Sequence, residues 1–69
     1  MIVVVNEQQV EVDEQTTVAA LLESLGFPDR GIAVAIDFAV LPRSNWATRL
    51  SELSGEPVRL EVVTAVQGG

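Results

Sequence analysis

Thr16-Thr17-Val18-Ala19-Ala20-Leu21-Leu22-Glu23-Ser24-Leu25-Gly26-Phe27-Pro28 is the stretch on which the reading of this chain turns. Val18, Leu21, Leu22 and Leu25 recur at i, i+3, i+4 and i+7, the spacing of one apolar face of a helix. Thr16 or Thr17 is placed to cap the N-terminus, with Asp13 and Glu14 just upstream on the side the helix dipole favours. Gly26 supplies a left-handed stop, Phe27 can fold back on Leu22, and Pro28 prevents continuation. The pattern predicts one short amphipathic helix whose stripe faces a core.

Strands flank it on both sides. Ile2-Val3-Val4-Val5 is β-branched throughout and reads as a strand. Asn6-Glu7-Gln8-Gln9 is polar and turn-like, and Val10-Glu11-Val12 alternates as a half-buried strand would. Together they predict an N-terminal hairpin. Beyond the helix, Ile32-Ala33-Val34-Ala35-Ile36 is unbroken and apolar, which predicts a strand covered on both faces. Asp37 and Phe38 interrupt, Ala39-Val40-Leu41 resumes as a short strand, and Pro42 ends it or marks an edge. Ser44 to Leu53 reads as a short helix or turn anchored by Trp46, Leu50 and Leu53. Ser54-Gly55-Glu56-Pro57 is a turn, and Val58 to Val66 is the last strand.

The order is hairpin, helix, strand, short strand, short helix, strand. One helix across a mixed sheet is an α+β two-layer arrangement, and this order is that of the β-grasp, or ubiquitin-like, fold. The expected core is Ile2 or its neighbours with Val10, Val12, Leu21, Leu22, Leu25, Val34, Leu60 and Val62. The expected division is a β-grasp domain over 1–66 and a mobile tail over 67–69.

Composition removes most chemistries. Hydrophobic residues make up 48% and charged residues 20%, so a compact single domain is expected rather than disorder. Cys, His, Lys and Tyr are all missing. That excludes thiolate and imidazole metal ligands, cysteine nucleophiles and histidine acid–base work. Ser24, Ser44, Ser51 and Thr64 carry hydroxyls, but no His or Lys is available to activate them. No carboxylate sits in a recognisable cation-binding loop. The expectation is a protein that is not itself an enzyme and binds neither metal nor cofactor. The net charge of −6, with Arg30, Arg43, Arg49 and Arg59 the only basic side chains, repels nucleic acid and anionic membranes and suits docking on basic partner surfaces. With no long apolar run and no leader pattern, a cytoplasmic location is expected.

The sequence closes on Val66-Gln67-Gly68-Gly69. Two glycines there arise by chance about once in two hundred chains. A tail without Cβ atoms is slim enough for a narrow channel, and its terminal carboxylate is ionised at neutral pH. It can therefore attack an activated phosphate and become an acyl-adenylate. The plain alternative is a frayed end.

Taken together, Ile32 to Ile36, Leu41-Pro42-Arg43 with Trp46 three residues on, and Val58 to Val66 running into Gly68-Gly69 resemble the ThiS family, the small sulfur carriers of thiamine thiazole synthesis. Asp37-Phe38 and Gly55-Glu56-Pro57 depart from the turns common in that family. The resemblance implies that a ThiF-like adenylating enzyme uses MgATP to convert the Gly69 carboxylate into an acyl-adenylate. Sulfur from a cysteine desulfurase or another donor then replaces AMP, leaving a thiocarboxylate that a ThiG-like thiazole synthase consumes. Gly69 is then the reacting residue. Gly68, Gln67 and Val66 are expected to be read by the partner's channel, and Phe38 and Arg43 are candidate partner contacts. Trp46 is expected to pack on the core edge.

Other functions fit parts of the pattern. A molybdopterin-synthase small subunit shares the fold and the Gly-Gly chemistry, although Pro-Arg-x-x-Trp favours the thiazole pathway. A ubiquitin-like modifier is a further alternative; without lysine it cannot form lysine-linked chains of itself. Glu23-Ser24-Leu25 matches the phosphopantetheine motif of acyl carriers superficially. That serine opens a helix in an all-helical bundle, whereas Ser24 closes one between strands.

Overall fold

The computed structural model describes residues 1–64. The elements are β1 (Ile2–Val5), β2 (Gln8–Glu11), α1 (Val18–Ser24), β3 (Ile32–Ile36), β4 (Ala39–Leu41) and β5 (Val58–Thr64), with 3₁₀ turns at Arg43–Asn45 and Leu50–Glu52 between β4 and β5. The sheet has the order β2-β1-β5-β3-β4. β1 and β5 run parallel at its centre, and the other neighbouring pairs are antiparallel. A five-stranded mixed sheet with one helix across it is the expected α+β β-grasp.

A helix of seven residues is too short to hold itself in water. Its N-terminal N–H groups are satisfied from outside. Thr17 is the N-cap, and its hydroxyl accepts from the Ala20 N–H at 3.1 Å. Val18 and Ala19 donate to the carbonyls of Thr48 and Trp46, both at 3.0 Å. The irregular segment after β4 is thus a strap over the start of α1, which explains why it breaks into two short turns rather than one helix. At the other end Gly26 adopts φ +86°, the left-handed stop the sequence predicted, and the Phe27 N–H donates to the Leu22 carbonyl at 3.0 Å.

The core lies between α1 and one face of the sheet. Val18, Leu21 and Leu22 meet Val3, Val5, Val34, Val58, Leu60 and Val62, and Trp46 and Leu50 close the side under the strap. Trp46 therefore packs on the core edge, as expected. Val10 and Val12 pack against this cluster half-buried. One expected core position differs. Leu25 is the C-cap residue and is 40% exposed, because the helix has ended where its stripe would reach the sheet. In β1 the expectation of Ile2 or its neighbours holds through the neighbours: Val3 and Val5 take the buried positions, and Ile2 points away from the helix.

The first hairpin is tighter than its composition suggested. Asn6 and Glu7 alone make the turn, both at positive φ, so β2 begins at Gln8 rather than Val10. A second correction concerns β3. Val34 is fully buried, but Ala33 and Ala35 point to the other face, which α1 does not cover. β3 is therefore packed on one face only.

Candidate functional site

Side chains alternate across a strand, so the residues paired across the ladders share a face. On the uncovered face Ala35 pairs with Val40 of β4, and Ala33 pairs with Val63 of β5. Val40 is 71% exposed and Val63 58%. These four residues line one shallow, largely apolar groove together with Glu61, which pairs with Ala35 on the same face. Toward β1 the same face turns polar, through Arg59 and Gln9 around Val4.

The groove lies toward the end of the sheet from which β5 departs. Thr64, the last described residue, pairs with Ile32 at the start of β3. The sequence then runs on through residues 65–69. Val66, Gln67, Gly68 and Gly69, on which the expected tail chemistry falls, lie outside the described residues.

Arg43 belongs to this same end. Its guanidinium lies over the Trp46 ring, 5.6 Å from the centroid, and reaches Asp29 at 4.0 Å. Asp29 sits just ahead of β3. The ion pair is exposed on both sides and adds little to stability. Stacking on the indole restricts where the charge can go.

Phe38 is elsewhere. With Asp37 it forms the β3–β4 turn, both residues at positive φ, and its ring is 93% exposed. Ile36, next to this turn, pairs with Leu60, four residues of β5 before Thr64. That separates the two ends by about 13 Å of strand. The fold therefore brings Arg43 to the exit of β5 and leaves Phe38 at the opposite end, beside an open groove of about 330 Å³ shared with Pro57 and Arg59.

Val40 and Val63 were not singled out from the sequence. Their signal was present: Val62-Val63 breaks the alternation of β5, and β4 carries valine at its one position on the uncovered face. Among the described residues no group of three or more carboxylates converges on a point, and no helix is long and apolar enough to cross a membrane. The described surface presents an exposed, largely apolar groove beside β5, the last described strand.

No curated protein matches the sequence closely enough to count as a relative. The family model of the ThiS family matches residues 2–69, nearly the whole sequence including Pro42-Arg43, Trp46 and Gly68-Gly69. The chain belongs to the ThiS family, and its role is that of a small sulfur carrier.

Proposed function

We propose that this carrier supplies the sulfur of the thiazole ring of thiamine, and that Gly69 is the atom-bearing end. A carboxylate oxygen of Gly69 attacks the α-phosphorus of ATP in a ThiF-like partner, with Mg supplied there, and pyrophosphate leaves. The outer sulfur of a persulfide, relayed from a cysteine desulfurase or another donor, then attacks the acyl carbon and AMP leaves. A second thiol of the partner cleaves the acyl disulfide so formed, becoming oxidised to a disulfide and releasing the carrier's sulfur as the thiocarboxylate. The resulting thiocarboxylate is spent by a ThiG-like thiazole synthase. Each of these steps uses the partner's machinery, so the carrier needs no catalytic side chain of its own. The reaction belongs in the cytoplasm, where ATP and these partners meet.

The observation that carries this reading is the apolar groove of Ala33, Ala35, Val40 and Val63 beside the departing β5. A partner that covers it receives the following residues at a fixed place. Covering an exposed valine contributes up to about 1.5 kcal/mol. The run Ile32–Ile36, apolar on both faces, is then a strand whose second cover is the partner. Arg43 flanks the docking face. Phe38 is an outlying contact at its far end, and Val66, Gln67 and Gly68 are read by the channel.

Intact mass of protein taken from cells making thiamine tests this. We expect one oxygen-to-sulfur exchange, localised by fragmentation to Gly69. A sulfur adduct on any other residue, or no exchange in cells starved of thiamine, rejects the reading. Co-purification with a large molybdopterin-synthase subunit instead of a thiazole synthase would move the carrier to that pathway.

A further inference from the structure

We infer that Asn6 is a positioning residue for the transfer chemistry: its side-chain amide holds the last part of β5 on course toward Gly69. The inference rests on the carrier reading above. β1 pairs with β5 only as far as Val5↔Leu60. At Asn6 the backbone turns away with φ +49°, after its N–H donates to the Leu60 carbonyl at 3.0 Å. The next outward groups of β5 on that side are the N–H and carbonyl of Val62. The Asn6 side chain takes both. The Val62 N–H donates to Asn6 Oδ1 at 2.8 Å, and Asn6 Nδ2 donates to the Val62 carbonyl at 3.1 Å. One planar amide thus replaces the strand residue that β1 no longer provides.

The residue type is demanding. Asparagine tolerates positive φ and offers a donor and an acceptor side by side. Glycine satisfies the turn and cannot pair. Aspartate satisfies the turn and accepts without donating. A two-residue hairpin turn favours asparagine for its backbone alone. That preference explains φ, and it does not explain an amide aimed at a residue 56 positions away.

The consequence falls on the docking end of the sheet. Without Asn6, Val62, Val63 and Thr64 are held from one side only, through their pairs Val34, Ala33 and Ile32 on β3. Val63 belongs to the docking groove, and Thr64 leads into the reacting end. This short stretch sets the geometry between the two. In-line attack on phosphorus is sensitive to such geometry; a misplacement of about 1 Å can cost about a hundredfold in rate.

The test is ATP–pyrophosphate exchange by the cognate adenylating enzyme, with the carrier titrated to saturation, for the wild type, Asn6→Gly and Glu7→Gly. Glu7 shares the turn at φ +70° and serves as control. Amide hydrogen exchange at Val62 and Leu21 is measured in parallel. We expect Asn6→Gly to lower kcat about fivefold or more, with KM changed by less than about twofold. We also expect it to speed Val62 exchange by at least about tenfold while leaving Leu21 protected. Glu7→Gly should change neither constant.

A merely structural role lowers the folded fraction, which raises apparent KM and leaves kcat intact at saturation. That result overturns the proposal, as does an unchanged kcat. If Asn6→Gly melts below the assay temperature, Asn6→Asp, which keeps the turn and the acceptor, is held to the same readouts. A wild-type carrier that supports no exchange sinks the carrier mechanism and this proposal with it. An active wild type with an unaffected Asn6 variant sinks this proposal alone.

Discussion

The indole N–H of Trp46 donates to the carbonyl oxygen of Leu41 at 3.2 Å. Leu41 is the last residue of β4, and Pro42 follows it, so the bond folds the strap back on the strand it has just left. The ring is 8% exposed, and its own carbonyl receives the Ala19 N–H at the start of α1. One residue therefore joins sheet edge, strap and helix. Trp46→Phe loses the hydrogen bond and some packing and should cost about 1–2 kcal/mol. Trp46→Ala should cost about 3–5 kcal/mol, enough to leave a domain of this size largely unfolded. Urea unfolding followed by circular dichroism measures both. A cost below about 0.5 kcal/mol for Trp46→Ala would contradict the packing described.

Gly26 and Gly55 both take positive φ, yet they should respond differently to alanine. At Gly26, with φ +86°, an added Cβ meets nothing within 4 Å. The cost is the left-handed backbone alone, about 1 kcal/mol. At Gly55, with φ +122°, the same atom falls 3.0 Å from the Pro57 carbonyl oxygen and 3.3 Å from the Val58 Cα. Both are backbone atoms, and Val58 is a core residue that cannot yield freely. Gly55→Ala should cost at least about 2 kcal/mol. Equal melting temperatures for the two variants would contradict this ranking.

Much of this fold was legible because periodicity and packing agreed. Val18, Leu21 and Leu22 are buried as spaced, Gly26 stops the helix, and β1, β3 and β4 have the bounds their apolar runs suggested. What was hidden depends on partners distant in sequence. Gln8 and Gln9 are strand residues because β1 lies beside them, and their own chemistry does not say so. Leu25 keeps the helical spacing but lies past the last turn that reaches the sheet. Ala33 and Ala35 look buried on composition because nothing local reveals which face α1 will cover. The site divides in the same way. Arg43 was visible through its neighbours Pro42 and Trp46, whereas Val40 and Val63 become a surface only when β4 and β5 are laid on either side of β3.

Phe38 holds a backbone conformation that bulky residues avoid, and it buries almost nothing in return: φ is +67° and the ring is 93% exposed. Asparagine is at home there. Phe38→Asn should raise stability by about 0.5–1 kcal/mol, a rise in Tm of roughly 2–8 °C. If the ring is kept for partner contact, the same variant should raise KM for the carrier in adenylation by about threefold or more, a loss of roughly 0.7 kcal/mol of binding. A thermal melt and a pyrophosphate-exchange titration read the two effects separately. A Tm that falls would show that the ring does more for the fold than its exposure indicates.

The docking groove makes an opposite pair of claims. Val40 and Val63 are exposed, so Val40→Glu and Val63→Glu should each change stability by no more than about 0.5 kcal/mol. Placed against a partner, each buries a charge where an apolar contact stood, and the double variant should raise KM for adenylation at least about tenfold. The effect on kcat should be smaller, because the reacting end is untouched. Undiminished adenylation of the double variant at carrier concentrations below KM would remove this face from the interface.

Removing Gly69 should separate chemistry from fold most sharply. The core runs from Val3 to Val62, and its contacts are made within α1, the strap and the sheet. Taking one residue from beyond β5 should change stability by less than about 0.5 kcal/mol. The carboxylate, however, moves back by one residue, at most about 3.6 Å of extended chain. A partner seated on the proposed docking groove, which is fixed on the sheet, receives the end at the wrong depth. The new terminal residue, Gly68, carries the same functional group and has equal intrinsic reactivity. Only its place has changed, and attack on the α-phosphorus should fall by about a hundredfold or more. The assay is pyrophosphate exchange at saturating carrier, beside a thermal melt. An unchanged melt with lost exchange is the expected outcome, and KM should hold if the groove binds as before. Extending the chain by one alanine should have the same effect, since the proposed channel has no room for the added Cβ. A shortened carrier that is adenylated at the wild-type rate would show that position does not govern the reaction, and would remove Gly69 from the chemistry.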